Sequence, residues 1–411
     1  MSKQFVPLSA WLLRPFLNLD PIMGGSILTE GVISAYDQVI HPEYQSIPLQ
    51  TNPVTNIRNL ISVNCGLPRF ICNHPKQLPV DLQTPQWRNL VNWLEKWSSL
   101  DNETKHRVVT LLNRMGLYQT TVQLIEPITK EEIATDLSKA ELAARLDLAK
   151  NKLVSPKDRC LETLKLLALS APAVHLRVRA AGSLIVHYSK TAKNFAEIQY
   201  WADIATEQFK LLPIDNDPIA LIQASMYFRA IAFIPYLQKN HVLLNDYMNK
   251  AEEYAKAFPK DDSYISFVSR ENWHPLLETG IKCAFWTGDV DKAIEKAKLL
   301  VAHDPMDPKV HMHLGDSYRQ IGLIDKAMEA YMEAARIGFP YKSYALFMVG
   351  VCYEQLEDME EACNWYLQSS ITDPSNFTAI EHLHKAATSI GKQYAELTTP
   401  YIKNTQSIAN K

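Results

Sequence analysis

The sequence predicts an all-α protein: an α-solenoid of stacked helix-turn-helix units behind a proline-rich, partly irregular N-terminal segment. Three observations carry this. One pattern occurs twice, 35 residues apart: Leu314-Gly315, Tyr318, Ala327, Tyr331, Ala334, then Val349-Gly350, Tyr353, Ala362, Tyr366, Ser369. A fainter copy lies 34 residues upstream, at Leu277, Gly280, Ala284, Gly288, Ala293, Ala297 and Pro305; a period of ~34 residues is that of paired helices stacked on copies of themselves. Only 13 of 411 residues are glycine, and Ala, Leu, Lys and Glu are abundant, as helices prefer. From residue 129 onward, helix-start signals recur between apolar stretches of helical length: Thr129 with Glu132, Ser138 with Glu141, and Ser155-Pro156.

Within each copy the residue sizes have a reason. The first helix (309–320) carries Leu-Gly and then Tyr; the second (324–337) carries Ala and then Tyr. Gly315 and Ala327 remove bulk where two helices touch, and Tyr318 and Tyr331 fill the space beside that contact. Gly322 stands in the turn between them, where the backbone needs freedom. Asp304-Pro305 and Asp373-Pro374 end helices, because a residue before proline avoids the helical region.

The pattern resembles the tetratricopeptide repeat superfamily over about 274–376. The usual first tryptophan is replaced by Leu277, His311 and Leu346, and Pro340 stands one place late. The resemblance implies a curved stack whose ligands lie on the concave face, built mostly from first helices. Residues between the packing positions of those helices are then the candidate peptide-binding groove: Lys282, Lys309, Met312, His313, Asp316, Arg319, Tyr344, Phe347, Met348, Val351, His382 and Lys385. An apolar middle (Phe347, Met348, Val351) with charged ends suits an apolar peptide segment or an amphipathic helix. Members that clamp a C-terminal carboxylate do so with basic and amide side chains; here those positions hold Glu278, Lys282, His313, Tyr344 and Met348, so no clamp is expected.

The rest of the chain reads as three further regions. Residues 1–84 hold only ten charges but nine of the 23 prolines, and are still apolar. That composition is not one of disorder; it predicts short helices (8–17 and 26–40) and a surface that packs on the solenoid or joins copies into a homo-oligomer. Residues 85–130 form a helical connector opened by Thr84-Pro85, with Trp87, Leu90, Val91, Leu94 and Trp97 at core spacing. Residues 131–273 give degenerate helix pairs, with helices near 137–151, 156–169, 172–189, 194–210, 217–233, 243–257 and 264–271. Residues 274–403 hold the clear repeats and a capping pair, 377–390 and 392–401.

A balance of 42 basic and 45 acidic residues argues against a partner that is nucleic acid or an anionic membrane surface. The start shows no apolar leader, and no run approaching ~18 apolar residues stands out. Six scattered cysteines at 65, 72, 160, 283, 352 and 363 lack framework spacing, so thiols and a cytoplasmic setting are expected. No phosphate loop, dinucleotide fingerprint, nucleophile elbow or zinc-protease motif occurs. His311 and His313, two apart on a helix, face away from one another, and Cys65, Cys72 and His74 are wrongly spaced for a zinc knuckle. No cofactor, metal or catalytic residue is therefore expected. The first functional reading is a protein- or peptide-binding scaffold; the second is a regulator responding to a peptide or small ligand; the third is a subunit of an enzyme complex.

Overall fold

The computed structural model describes residues 27–41, 74–77, 80, 83–215, 217–258, 264–338 and 341–391; every regular element among them is helical. The chain divides into two compact units, one reaching to Cys283 and the other starting at Ala284. The expected helices at 8–17 and 392–401, Pro340, Cys65, Cys72 and most of the proposed oligomer segment lie outside the described residues.

The unit that reaches to Cys283 starts with α1 (Ile27–Ile40), α2 (Pro85–Glu95) and α3 (Asn102–Arg114). Thr84 caps α2 by accepting from Trp87 N, with Pro85 in the first turn, as the sequence predicts. Val32, Ala35, Trp87, Leu90, Val108, Leu111 and Leu112 form one core, so the tryptophan stripe is packing, as its spacing predicts. Short helices α4 (Tyr118–Leu124) and α5 (Lys130–Thr135) follow. Thr129 and Glu132 make the full capping box of α5.

Helix pairs succeed these: α6 (Leu137–Lys152) with α7 (Glu162–Ser170), α8 (Val174–His187) with α9 (Phe195–Phe209), and α10 (Pro218–Ile231), through the short α11 (Phe233–Leu237), with α12 (His241–Lys256). The first two pairs share a hidden register. Leu142 and Leu176, Arg145 and Arg179, Leu167 and Trp201, Ala168 and Ala202, and Ala171 and Ala205 are each 34 residues apart. All but Arg179 are largely buried. Ala251 and Ala255 are buried on α12, and Tyr254 stacks on Phe228 at 5.6 Å.

Several local expectations are corrected. Ser138 and Glu141 form no capping box: α6 starts at Leu137, so Asp136 takes the cap and accepts from Lys139 N at 3.1 Å. Ser155-Pro156 opens only a three-residue 3-10 turn (Pro156–Asp158), because Arg159 is extended at ψ 130. The helix expected at 264–271 runs on through Pro275 to Trp286 as α13 (Tyr264–Trp286). Its buried Asn272 donates to Ser225 Oγ at 2.8 Å, and its buried Glu271 pairs with Arg114, so tertiary packing outweighs the breaker. Residues 218–237 are long and apolar enough to cross a membrane, with a mean hydropathy of 1.3, contrary to the expectation of no such run; the stretch is 56% buried and supplies Ile222 and Tyr227 to the cores.

This unit also buries charge. Arg114 of α3 makes a bidentate ion pair with Glu271 of α13; Nη2 stands 2.6 Å from Oε2, and both side chains are nearly inaccessible. Around it, burial pushes Arg179 down to about 10 with help from Arg114, while Glu141 and Glu271 oppose. Burial, then Arg145, Arg179 and Arg107, holds His106 well below the usual histidine range, so its ring is neutral.

The unit from Ala284 contains α14 (Val290–His303), α15 (Pro308–Gln320), α16 (Ile324–Ile337), α17 (Lys342–Gln355), α18 (Met359–Thr372) and α19 (Phe377–Ile390), each packed on the next. Caps fix their ends: Asp289, Asp307, Asp358 and Asn376 each accept a backbone N–H of the first turn. The acids at second-helix starts are thus caps and dipole partners. Gly288 (φ 83) and Gly322 (φ 77) make the turns inside two pairs; in the next pair Glu357 takes the left-handed conformation at φ 61.

Candidate functional site

The repeat contact is made twice, with the same atoms. A Cβ at Gly315 would lie 2.5 Å from the Tyr331 ring, and one at Gly350 would lie 2.6 Å from the Tyr366 ring. Each glycine therefore lets a second-helix ring press against the first helix. The rings are fully buried, yet each hydroxyl reaches an acid on the first helix. Tyr331 donates to Asp316 Oδ1 at 2.7 Å, and Tyr366 donates to Glu354 Oε2. Burial, together with the acid, raises both phenols well above the usual range, so they remain donors.

The acids mark the accessible stripe of the first helices α15, α17 and α19. Glu354 Oε2 also stands 3.2 Å from His382 Nδ1. Phe347 contacts Tyr366 at 5.5 Å and meets His382 edge-on at 5.2 Å. Tyr344 lies over Phe347 at 6.0 Å and is 47% exposed. Burial, then Asp316, raises the Tyr344 phenol, while Arg319 opposes the rise. Arg319 is half-buried, and its Nε is buried without a hydrogen-bond partner. The structure thus brings Asp316, Arg319, Tyr344, Phe347 and His382 into one patch on this face.

The other expected groove residues are placed differently. Met312, Phe347 and Met348 are buried at 3%, 7% and 5% exposure, and belong to the unit's core. This corrects the expected apolar middle: each first helix also packs on the preceding second helix, which consumes positions that a lone pair would leave open. Val351 is half-buried against the same core. Lys309 and His313 are half-buried, and Lys385 is exposed in an ion pair with Glu381 at 2.8 Å. Lys282 is exposed and belongs to the other unit. His311 is packed, its Nε2 2.9 Å from the Pro305 carbonyl. The sequence places Tyr331 and Tyr366 in the packing between helices but does not show that their buried hydroxyls bond Asp316 and Glu354; the signal was the Gly-Tyr pairing at both copies.

Two stretches, 308–337 and 343–375, match the family model for the tetratricopeptide repeat. Among curated proteins no sequence matches the chain. Solved structures resemble it at low identity. The crystal structure of MamA is 18% identical, covers 43% of this chain and 93% of its own, and superposes with a TM-score of 0.32. YrrB, described as a TPR protein with an unusual peptide-binding site, is 13% identical, with coverage of 49% and 97% and a TM-score of 0.30. A signal transduction ATPase with numerous domains and a tetratricopeptide repeat sensor, from Pyrococcus horikoshii, is 14% identical, with coverage of 97% and 62% and a TM-score of 0.47. The assignment rests on the matched repeats and on the Gly-Tyr contacts they form: over residues 308–375 the chain is built of tetratricopeptide repeats and belongs, by that segment, to their superfamily.

Proposed function

We propose that the first-helix face of α15, α17 and α19 holds a segment of another protein, making this chain a scaffold or adaptor. Repeat stacks generally use such faces to bind proteins or peptides. The observation that carries the reading is the pairing of an exposed aromatic ring, Tyr344, with a neighbouring cation, Arg319, whose Nε lacks an acceptor. Tyr and Arg are the side chains that anchor interfaces most often. The partner segment would set an apolar side chain on Tyr344 and a carboxylate against Arg319. Among the described residues the thiols of Cys160, Cys352 and Cys363 are free, which supports a cytoplasmic setting.

Affinity capture from a native extract tests this, comparing the parent chain with Tyr344→Ala/Arg319→Ala. Neither side chain is fully buried, so helicity and melting temperature should hold. Partners recovered by the parent should fall about tenfold or more with the variant. Equal recovery of the same partners by both proteins sinks the reading.

A further inference from the structure

We propose that the unit reaching to Cys283 carries a separate small-molecule site, a cavity among α6, α7, α8 and the 153–161 loop that binds a free aliphatic amino acid. Its carboxylate would sit on Arg159 and His187, its ammonium on Asp147, and its side chain among leucines. The site is independent of the protein-binding face.

The cavity measures about 180 Å³. That is the room of about six waters, which suits a small metabolite and excludes a peptide. Leu148, Leu164 and Leu176 give it an aliphatic wall, while Asp147, Arg159 and His187 bring charge and polarity to it. Each of these three groups falls short of its bonding capacity. Arg159 Nε and His187 Nδ1 are buried and have no hydrogen-bond partner. Asp147 is 7% exposed, accepts one bond from Asn151 Nδ2 at 2.9 Å, and makes no ion pair among the described residues. Buried polar groups are nearly always partnered, so two orphaned nitrogens beside a carboxylate with room for further bonds call for an occupant that supplies them.

The signs of the charges choose that occupant. A simple carboxylate would meet Arg159 and also the anionic Asp147; a simple amine would meet Asp147 and also Arg159 and Arg179, which lines the same cavity. A zwitterion satisfies both ends at once. Electrostatics agrees that the groups face one another: Arg159 lowers the pKa of both Asp147 and His187, though burial is the larger influence on each. The backbone supplies an independent sign. Directly after His187 the chain winds a π-helical turn, Tyr188–Ala192, and leaves it through Lys193 at φ 48. Single π turns are frequent at functional sites.

Isothermal titration of the full chain with L-leucine tests this, beside three probes: 4-methylpentanoate, which lacks the ammonium; 3-methylbutylamine, which lacks the carboxylate; and glycine, which lacks the aliphatic part. Leucine should bind with 1:1 stoichiometry and each probe about tenfold or more weaker. Arg159→Gln should weaken leucine by a similar factor. Ser183→Trp, at the exposed cavity mouth, should abolish binding while leaving helicity intact, which separates blockage from misfolding. Absence of leucine binding at millimolar concentration, equal binding of 4-methylpentanoate, or undiminished binding to Ser183→Trp each overturns the site. None of these readouts depends on partner capture, so this site and the protein-binding face fail separately.

Discussion

The two units solve the same stacking problem with different side chains. From Ala284 on, the contact is glycine against a tyrosine ring, repeated at Gly315 with Tyr331 and Gly350 with Tyr366. Between α6 and α9 the same ~34-residue spacing holds with no Leu-Gly. There Ala168, Ala171, Ala202 and Ala205 bring the helices together, and Leu167 and Trp201 fill the gaps. Where the first kind of repeat exposes its acids on a face, the second buries arginines and glutamates inside. The lesson is that the period belongs to the geometry of paired helices, and the family's residues are one way of meeting it.

Substitutions can break this comparison from both sides. The largest effect should come from Arg114→Met, which strands the buried Glu271 carboxylate; a loss of about 3–5 kcal/mol is expected by urea unfolding. Adding Glu271→Leu should restore much of it, and no restoration would show that packing, not charge, is what Arg114 supplies. In the repeat unit, Gly350→Ala should cost about 3 kcal/mol, because the new methyl meets a ring held by its hydroxyl bond to Glu354. Tyr366→Leu on that background should recover part of the loss.

A smaller effect tests the buried carboxylate of Asp147. Burial raises its pKa from 3.8 to about 6 in the folded chain, against the opposing influence of Asn151, Lys150 and Arg159. The folded state then holds a proton that the unfolded state releases, so the acid's contribution is favourable below pH ~4 and is lost as pH rises toward 6. Asp147→Asn should match the parent near pH 4 and exceed it by roughly 2 kcal/mol near pH 7.5. A parent as stable as the variant at both pH values would refute this. The smallest effect sharpens the contrast with Gly350. Gly182 lies inside α8, where a Cβ would meet only Ala230 Cβ at 3.4 Å. Gly182→Ala should leave stability unchanged or raise it by up to about 1 kcal/mol, read from the melting temperature.

Much of the repeat unit was legible. Gly322, Asp304-Pro305 and Asp373-Pro374 punctuate it, and the helices at 324–337 and 377–390 begin and end where the sequence places them. The binding face was half legible. Tyr344 was found by its register, but Met312 and Met348 were not distinguishable from it, since register says which way a residue faces and not how near the next helix lies. The 34-residue match of Arg145 with Arg179 was hidden because arginine and leucine are common; the burial of Arg145 gives it meaning. The cavity was illegible for another reason: Asp147, Arg159 and His187 sit on two helices and a loop, with no spacing that repeats.

The Arg114–Glu271 pair also constrains the order of assembly. Its partners are 157 residues apart. While the chain emerges from a ribosome, the local helix pairs between them can form in turn, since each needs only neighbours. Arg114 must wait, hydrated, until α13 is made. Closing so long a loop adds little to the entropy already spent once the intervening pairs are folded. The ion pair therefore acts as a late seal, and a chain halted before residue 271 would carry an open, water-filled seam along α3.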